Sequence, residues 1–244
     1  MPTLISNVPT TPFQAIIGNY DGYAPQTKFA INDAVGTSFE DLWSVSTNLT
    51  YLAAADVLEV LSSSADDNGT GTTGALTIRV FGLDANFVEV EEDLTLNGLT
   101  VVEGSTSFLR VYRAMVMSAG TTGSNIGTIT IRDKTGDTTQ CSIPITANQS
   151  LMSQYTIPAN KTAYFINGYV TCGKGDDATF RLMARVEGGV FQVKREGKAF
   201  QDELFHNFDG MFKIPEKTDI KIMVKSSAGG VSCSGGYDFI LKDV

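Results

Sequence analysis

Leu76-Thr77-Ile78-Arg79-Val80-Phe81 is followed by the turn Gly82-Leu83-Asp84-Ala85-Asn86 and then by Phe87-Val88-Glu89-Val90-Glu91-Glu92-Asp93-Leu94-Thr95-Leu96-Asn97-Gly98. In the first segment Leu76, Ile78 and Val80 alternate with Thr77, Arg79 and Phe81, the period of two that sends successive strand side chains to opposite faces. In the second, Phe87, Val88, Val90, Leu94 and Leu96 are interleaved with Glu89, Glu91 and Asp93, which predicts a strand with one buried face and one acidic, solvated face. Asn97-Gly98 is the strongest hairpin signal in the chain, because a type I′ turn needs positive φ at both central residues.

Outward from this stretch the pattern repeats. Further strands are expected at 57–62, 108–117, 126–132 and 139–145, with Ser/Asp/Asn/Gly/Thr turns between them. A second block of strands is expected at 151–157, 162–172, 179–186, 190–194, 220–224 and 237–241. No apolar pattern of helical period extends over ten residues; single helical turns are expected only at 38–43 and 202–208. Threonine, which favours strands, fills 27 positions. The fold class is therefore all-β, of β-sandwich or jelly-roll type. The expected divisions are 1–50, an irregular N-terminal arm; 51–146, a β-sandwich module; and 147–244, a second β module or the second half of a shared sandwich. The arm carries Pro2, Pro9, Pro12 and Pro25, four of the seven prolines, with one short strand at 13–18. Trp43, the sole tryptophan, is expected to anchor the arm to a core.

The chain of 244 residues is 42% apolar and 18% charged, which excludes a disordered polymer. No apolar run approaches the length of a membrane-spanning helix. The net charge of −9 is unevenly spread: residues 1–120 hold 14 acidic and 4 basic side chains, and residues 121–244 hold 13 and 14. Such an acidic field opposes binding to nucleic acid or anionic lipid, so neither is an expected partner. Cys141, Cys172 and Cys233 are widely spaced and odd in number; they are read as buried free thiols made in a reducing compartment. The opening Met1-Pro2-Thr3-Leu4-Ile5-Ser6-Asn7 has neither the basic nor the apolar region of a secretory signal.

The residues offer little to catalysis. His206 is the only histidine, and no GxSxG elbow, Walker loop or dinucleotide fingerprint occurs. Gly69-Thr70-Gly71-Thr72-Thr73-Gly74 has a phosphate loop's composition but no following Lys. Asp66-Asp67-Asn68-Gly69 has that of a calcium loop, yet its twelfth position is Thr77 rather than a bidentate Glu. Asp176-Asp177 reads as a turn, and Glu89, Glu91 and Asp93 as a solvated strand face rather than a glycosidase pair. Tyr20, Tyr23, Tyr51 and Tyr164 are the aromatics that would stack on sugars if exposed. No catalytic residue, metal site or cofactor is expected.

Several stretches resemble, taken together, a family of virion structural proteins of tailed bacteriophages, many of them marine. They are Phe39-Glu40-Asp41-Leu42-Trp43, Ser62-Ser63-Ser64-Ala65-Asp66-Asp67, Gly74-Ala75-Leu76-Thr77-Ile78-Arg79-Val80-Phe81-Gly82-Leu83-Asp84 and Thr95-Leu96-Asn97-Gly98 in the first block. In the second they are Leu151-Met152-Ser153-Gln154-Tyr155-Thr156-Ile157-Pro158-Ala159-Asn160-Lys161-Thr162-Ala163-Tyr164, Gly188-Gly189-Val190-Phe191-Gln192 and Ile214-Pro215-Glu216-Lys217-Thr218-Asp219-Ile220-Lys221. The resemblance covers residues 38–244 and rests on strand and turn motifs. It implies a non-enzymatic virion component made in the host cytoplasm: a head decoration or cement protein on the capsid exterior or, alternatively, a tail or head-fibre protein binding a host receptor or glycan. A secreted carbohydrate-active enzyme stands as a third class. The implied partners are other capsid or tail subunits and further copies of the chain, as a homotrimer. Ile5, Val8, Phe13, Ile16 and Ile17 of the arm are the expected partner-binding residues, since a Pro-rich arm cannot bury them by itself.

Overall fold

The computed structural model describes residues 21–173, 177–200 and 203–244, with only the backbone described at 203 and 209–211. All regular elements among them are strands: β1 (Tyr23–Val35), β2 (Glu40–Asp41), β3 (Asp56–Ser62), β4 (Ala75–Leu83), β5 (Glu89–Thr95), β6 (Val102–Phe108), β7 (Arg110–Ala119), β8 (Ile129–Asp133), β9 (Thr139–Ile143), β10 (Tyr155–Thr156), β11 (Lys161–Cys172), β12 (Asp177–Val186), β13 (Gln192–Phe200), β14 (Glu203–Ile214), β15 (Thr218–Ser226) and β16 (Val231–Asp243). Every pairing between them is antiparallel.

They build two sandwiches with separate cores. One has the sheet β1-β16-β11-β14 against β10-β15-β12-β13, and β2 also pairs β15. The two short strands share one edge of β15: Asp41 lies opposite Met223 and Glu40 opposite Val224, while Tyr155 lies opposite Ile220 and Thr156 opposite Asp219. Together β2 and β10 fill one strand position, so each sheet has four, and the chain passes between the sheets in the order of a jelly roll. Phe165, Phe180, Ile220, Val224, Tyr237 and Phe239 lie in its core. Between β2 and β10 the chain makes a second sandwich, β6-β3-β8-β9 against β5-β4-β7, around Leu58, Val60, Ile78, Val80, Phe108, Ile129, Ile131 and Ile143. This second sandwich is an insertion into one strand of the first. At its neck the outgoing and returning chains pair: Trp43 bridges Met152, Ser44 N–H donates to the Leu151 carbonyl at 3.1 Å, and Ser153 N–H donates to the Leu42 carbonyl at 3.1 Å.

Several sequence expectations change. Within the expected irregular arm Tyr23–Val35 is a 13-residue strand and belongs with the C-terminal block. Its period was hidden because Lys28, Ala30 and Asn32 face inward while Phe29 is exposed. Pro25 is tolerated because β1 is an edge strand and needs no donor on its free side. The short strand expected at 13–18 lies outside the described residues. The helical turn expected at 38–43 is instead β2 with the neck, and the described part of that expected at 202–208, from 203 on, is the start of β14. Trp43 is buried, as expected of an anchor, but in the core of the inserted sandwich, its indole N–H donating to the Thr47 carbonyl at 2.6 Å. Asn97-Gly98 does not close a hairpin. Only Gly98 has positive φ (59°), and the turn carries the chain from β5 in one sheet to β6 in the other. The long strand expected at 108–117 breaks at Leu109, where the chain again changes sheets.

Candidate functional site at the seam between the sandwiches

Two clusters of buried charge join the inserted sandwich to the jelly roll. The first is centred on Asp219 of β15, which is 2% exposed. Its carboxylate accepts Arg110 Nε of β7 at 2.8 Å, Arg185 Nη2 of β12 at 2.5 Å and the Thr156 hydroxyl of β10 at 2.7 Å. Arg110 comes from the inserted sandwich and also donates to the Leu52 carbonyl at 3.0 Å. The Tyr51 ring packs on both guanidinium groups, 5.0 Å from that of Arg110 and 4.5 Å from that of Arg185, and the Phe191 ring also packs on Arg185 at 4.6 Å. Beside this stack Lys221 pairs with buried Asp41 at 2.6 Å, and the second oxygen of Asp41 accepts Leu49 N–H at 2.9 Å. Each buried carboxylate here has its cation, which offsets the cost of removing both from water. Burial, and then Asp219 and Asp41, push the Tyr51 phenol well above its ordinary pKa.

The second cluster lines a cleft of about 440 Å³ between β1 and the β4-β5-β7 sheet. Two reciprocal bonds cross its floor: Lys28 Nζ donates to the Tyr112 carbonyl, and Arg113 Nη2 donates to the Thr27 carbonyl at 2.6 Å. Lys28 is 4% exposed, and among the described residues no carboxylate pairs with it. Burial, reinforced by the like charge of Arg113, lowers its pKa to about 7. The Tyr155 hydroxyl, on the same cleft, is buried without a hydrogen-bond partner among the described residues. Its ring packs on Tyr112 at 4.8 Å and Phe239 at 5.0 Å. Gln26, Phe81, Val90 and Met115 complete the walls with Glu89 and Glu91. Burial first, and then the Glu89 charge, raise the Tyr112 phenol; burial, Tyr112 and Glu89 raise that of Tyr155.

The residues singled out by sequence are dispersed. Ile5, Val8, Phe13, Ile16, Ile17 and Tyr20 lie outside the described residues, as does Asp176. Glu89, Glu91 and Asp93 are exposed along β5, and Arg79 answers two of them, at 2.9 Å to Glu91 and 2.6 Å to Asp93. Asp67 is fully buried and its carboxylate accepts the Ser62 hydroxyl and the amides of Ala75, Ile126 and Gly127 at 2.6–2.9 Å. Those donors tie the loops at the end of the inserted sandwich together and leave the carboxylate no face for a calcium ion. In the Gly69–Gly74 stretch, the amides of Gly69, Gly71 and Gly74 bond chain carbonyls, so these three cannot cradle phosphate. His206 is exposed on β14, edge-on to Phe208 at 4.5 Å. The three cysteines are free and buried, and burial pushes the Cys141 thiol up to about 11. Among the described residues no three His, Cys, Asp or Glu side chains gather as a metal site. Of the candidate aromatics, Tyr51 is taken up by the seam. Lys28, Arg110, Arg113 and Asp219 are not singled out by sequence, although one signal points to the three cations: the acidic half of the chain has only four bases, and three lie on the seam.

The fold and seam define a two-module, all-β protein, a jelly roll carrying an inserted sandwich. No protein-family model and no curated protein matches the chain. Among solved structures, that of the infectious bursal disease virus Gt strain is similar at 11% identity and a TM-score of 0.25, over 91% of this chain and 73% of that one. The PBSX exported protein XepA is similar at 11% identity and a TM-score of 0.20, over 87% and 86%. The infectious bursal disease virus VP2 subviral particle gives 10% identity and 0.21, over 91% and 72%. Likenesses this slight assign no role to the chain.

Proposed function

We propose that this chain is a non-enzymatic structural component of a tailed-phage particle, bound outside the capsid shell as a decoration or cement protein. The observation that carries the reading is the two-module body itself. Jelly rolls serve in capsids and lectins, and here one is bolted to a second sandwich through the buried Arg110–Asp219 ion pair and a paired neck, which makes a stiff block suited to bridging neighbouring shell subunits. The sequence resemblance to virion proteins supports the same role. The exposed acidic strand at Glu89, Glu91 and Asp93 suits a surface turned away from packaged DNA and from anionic lipid. Attachment falls to residues 1–20, which include Ile5, Val8, Phe13, Ile16 and Ile17, contain no charged side chain and join the jelly roll at its edge strand β1. Partners are capsid subunits and further copies of the chain, as a homotrimer, in a virion assembled in the host cytoplasm.

Two measurements test this. Hundreds of copies per particle and density on the shell exterior are the expected result; a few copies at a tail or vertex would replace it with a tail or fibre position. Deletion of residues 1–20, stopping short of β1, is expected to leave the circular dichroism spectrum of the β-sandwiches unchanged and to abolish incorporation into particles. Normal incorporation would move attachment to the sandwiches. A second reading, a tail or head-fibre protein that binds a host glycan, is favoured by one observation: the donor-lined cleft between the modules.

A further inference from the structure

A buried cation in a folded protein is normally paired with an anion, because an unpaired one loses its hydration without compensation. Lys28 departs from this rule. It is 4% exposed, it donates to a neutral carbonyl, that of Tyr112, and the strongest charge acting on it is another cation, Arg113. The Tyr155 hydroxyl on the same cleft is a second buried polar group without a partner among the described residues. Two anomalies on one cavity call for one explanation: an anionic group that supplies the missing acceptor to both.

We propose that the cleft between the two sandwiches binds an acidic sugar, whose carboxylate is held by Lys28, Arg113 and Tyr155. The walls suit such a ligand. Lys28 uses one of its three donors on Tyr112, and Arg113 keeps guanidinium donors beyond the one given to Thr27. Glu89 and Glu91 at the rim accept from ring hydroxyls, Gln26 offers both a donor and acceptors, and Phe81, Val90 and Met115 supply an apolar wall for the C–H face of a pyranose. The cleft of about 440 Å³ lies within the range of small-ligand sites. Rim carboxylates disfavour a polyanion and leave room for a single carboxylate at the floor, so the class is a uronic or sialic acid rather than a phosphorylated ligand. This goes beyond the decoration role, and its failure would leave that role standing.

The site carries its own pH signature. The titratable and charged groups acting on Lys28 are Arg113 and Cys141, the Tyr112 carbonyl accepts its hydrogen bond, and Tyr155, Glu89 and Glu91 line the same cleft. With its pKa near 7, Lys28 is charged below neutrality and must take up a proton to bind above it. Affinity is expected to fall about tenfold per pH unit above 7, with proton uptake on binding.

The experiment is calorimetric titration of the full chain with D-glucuronate and N-acetylneuraminate at pH 6 and pH 8, with D-glucose and acetate as controls. Expected are saturable binding of at least one acidic sugar, binding of D-glucose and acetate at least about tenfold weaker, and heats at pH 8 that depend on buffer ionisation. Lys28→Met is expected to abolish binding and Tyr155→Phe to weaken it, with thermal unfolding cooperative in both variants. Acetate binding as tightly as the sugars would reduce the cleft to a bare anion site and overturn the proposal. So would equal binding of D-glucose, unchanged affinity in Lys28→Met, or no saturable binding of either acidic sugar.

Discussion

The two sides of the seam handle buried charge in opposite ways. Around Asp219 every buried carboxylate meets a cation, and aromatic rings pack against those cations. Around Lys28 a buried cation faces another cation and a carbonyl. The first is what a joint looks like when its task is to stay shut. The second costs stability in the empty protein, and such a cost is expected to persist where a ligand or partner offsets it. Charge pairing thus separates the structural half of the seam from the candidate binding half more sharply than the burial of their central residues, since Asp219 and Lys28 are both buried.

The largest expected effect lies on the paired side. Asp219→Ala would strand Arg110 and Arg185, which have little access to water, and is expected to cost about 3–5 kcal/mol in urea unfolding. A loss under 1 kcal/mol would show that the joint is wetter than the geometry implies. On the unpaired side Lys28→Met is expected to act in the opposite direction, stabilising the chain by about 1–4 kcal/mol at pH 6. The sign follows from linkage. The folded pKa of about 7 lies below the ordinary lysine value of 10.5, so between these values the unfolded chain binds more protons and stability rises with pH. The wild type should gain up to about 1.4 kcal/mol per pH unit across that window from this residue, and Lys28→Met should lose that gain. Arg110→Lys keeps the charge but gives up the planar stacking on Tyr51 and the fork onto Asp219, for an expected loss of about 1–2 kcal/mol. Tyr155→Phe should be the quietest, within about 1 kcal/mol of wild type, because its hydroxyl has no partner to lose.

The reach of the sequence can be judged from particular strands. The run from Leu76 to Leu96 was legible because one face is buried and the other solvated, so hydrophobicity reports direction. In β1 that code is reversed: Lys28 and Asn32 are buried and Phe29 is exposed, so the strand read as an arm. The same reversal hid the cleft, since the residue that makes β1 hard to read is the one that marks the site. Sheet membership was illegible for a different reason. The meeting of Glu40–Asp41 and Tyr155–Thr156 on one edge of β15 is fixed by contacts far apart in sequence, and no local period records them. Asn97-Gly98 shows the limit of a turn motif: the two residues do make a turn, but between sheets rather than within one.

The split strand has a consequence for the order of assembly during translation. β1 is made early, yet its partner is the last strand of the chain, with Tyr23 opposite Lys242 and Val35 opposite Val231. The inserted sandwich needs nothing beyond the neck for its core, so it can fold while the rest of the jelly roll is still inside or behind the ribosome. Throughout that interval β1 waits with its pairing edge open. In the finished fold the bonds from Lys28 to Tyr112 and from Arg113 to Thr27 hold this same strand against the insertion, so β1 is fastened on one side by a module made after it and on the other by the last strand made.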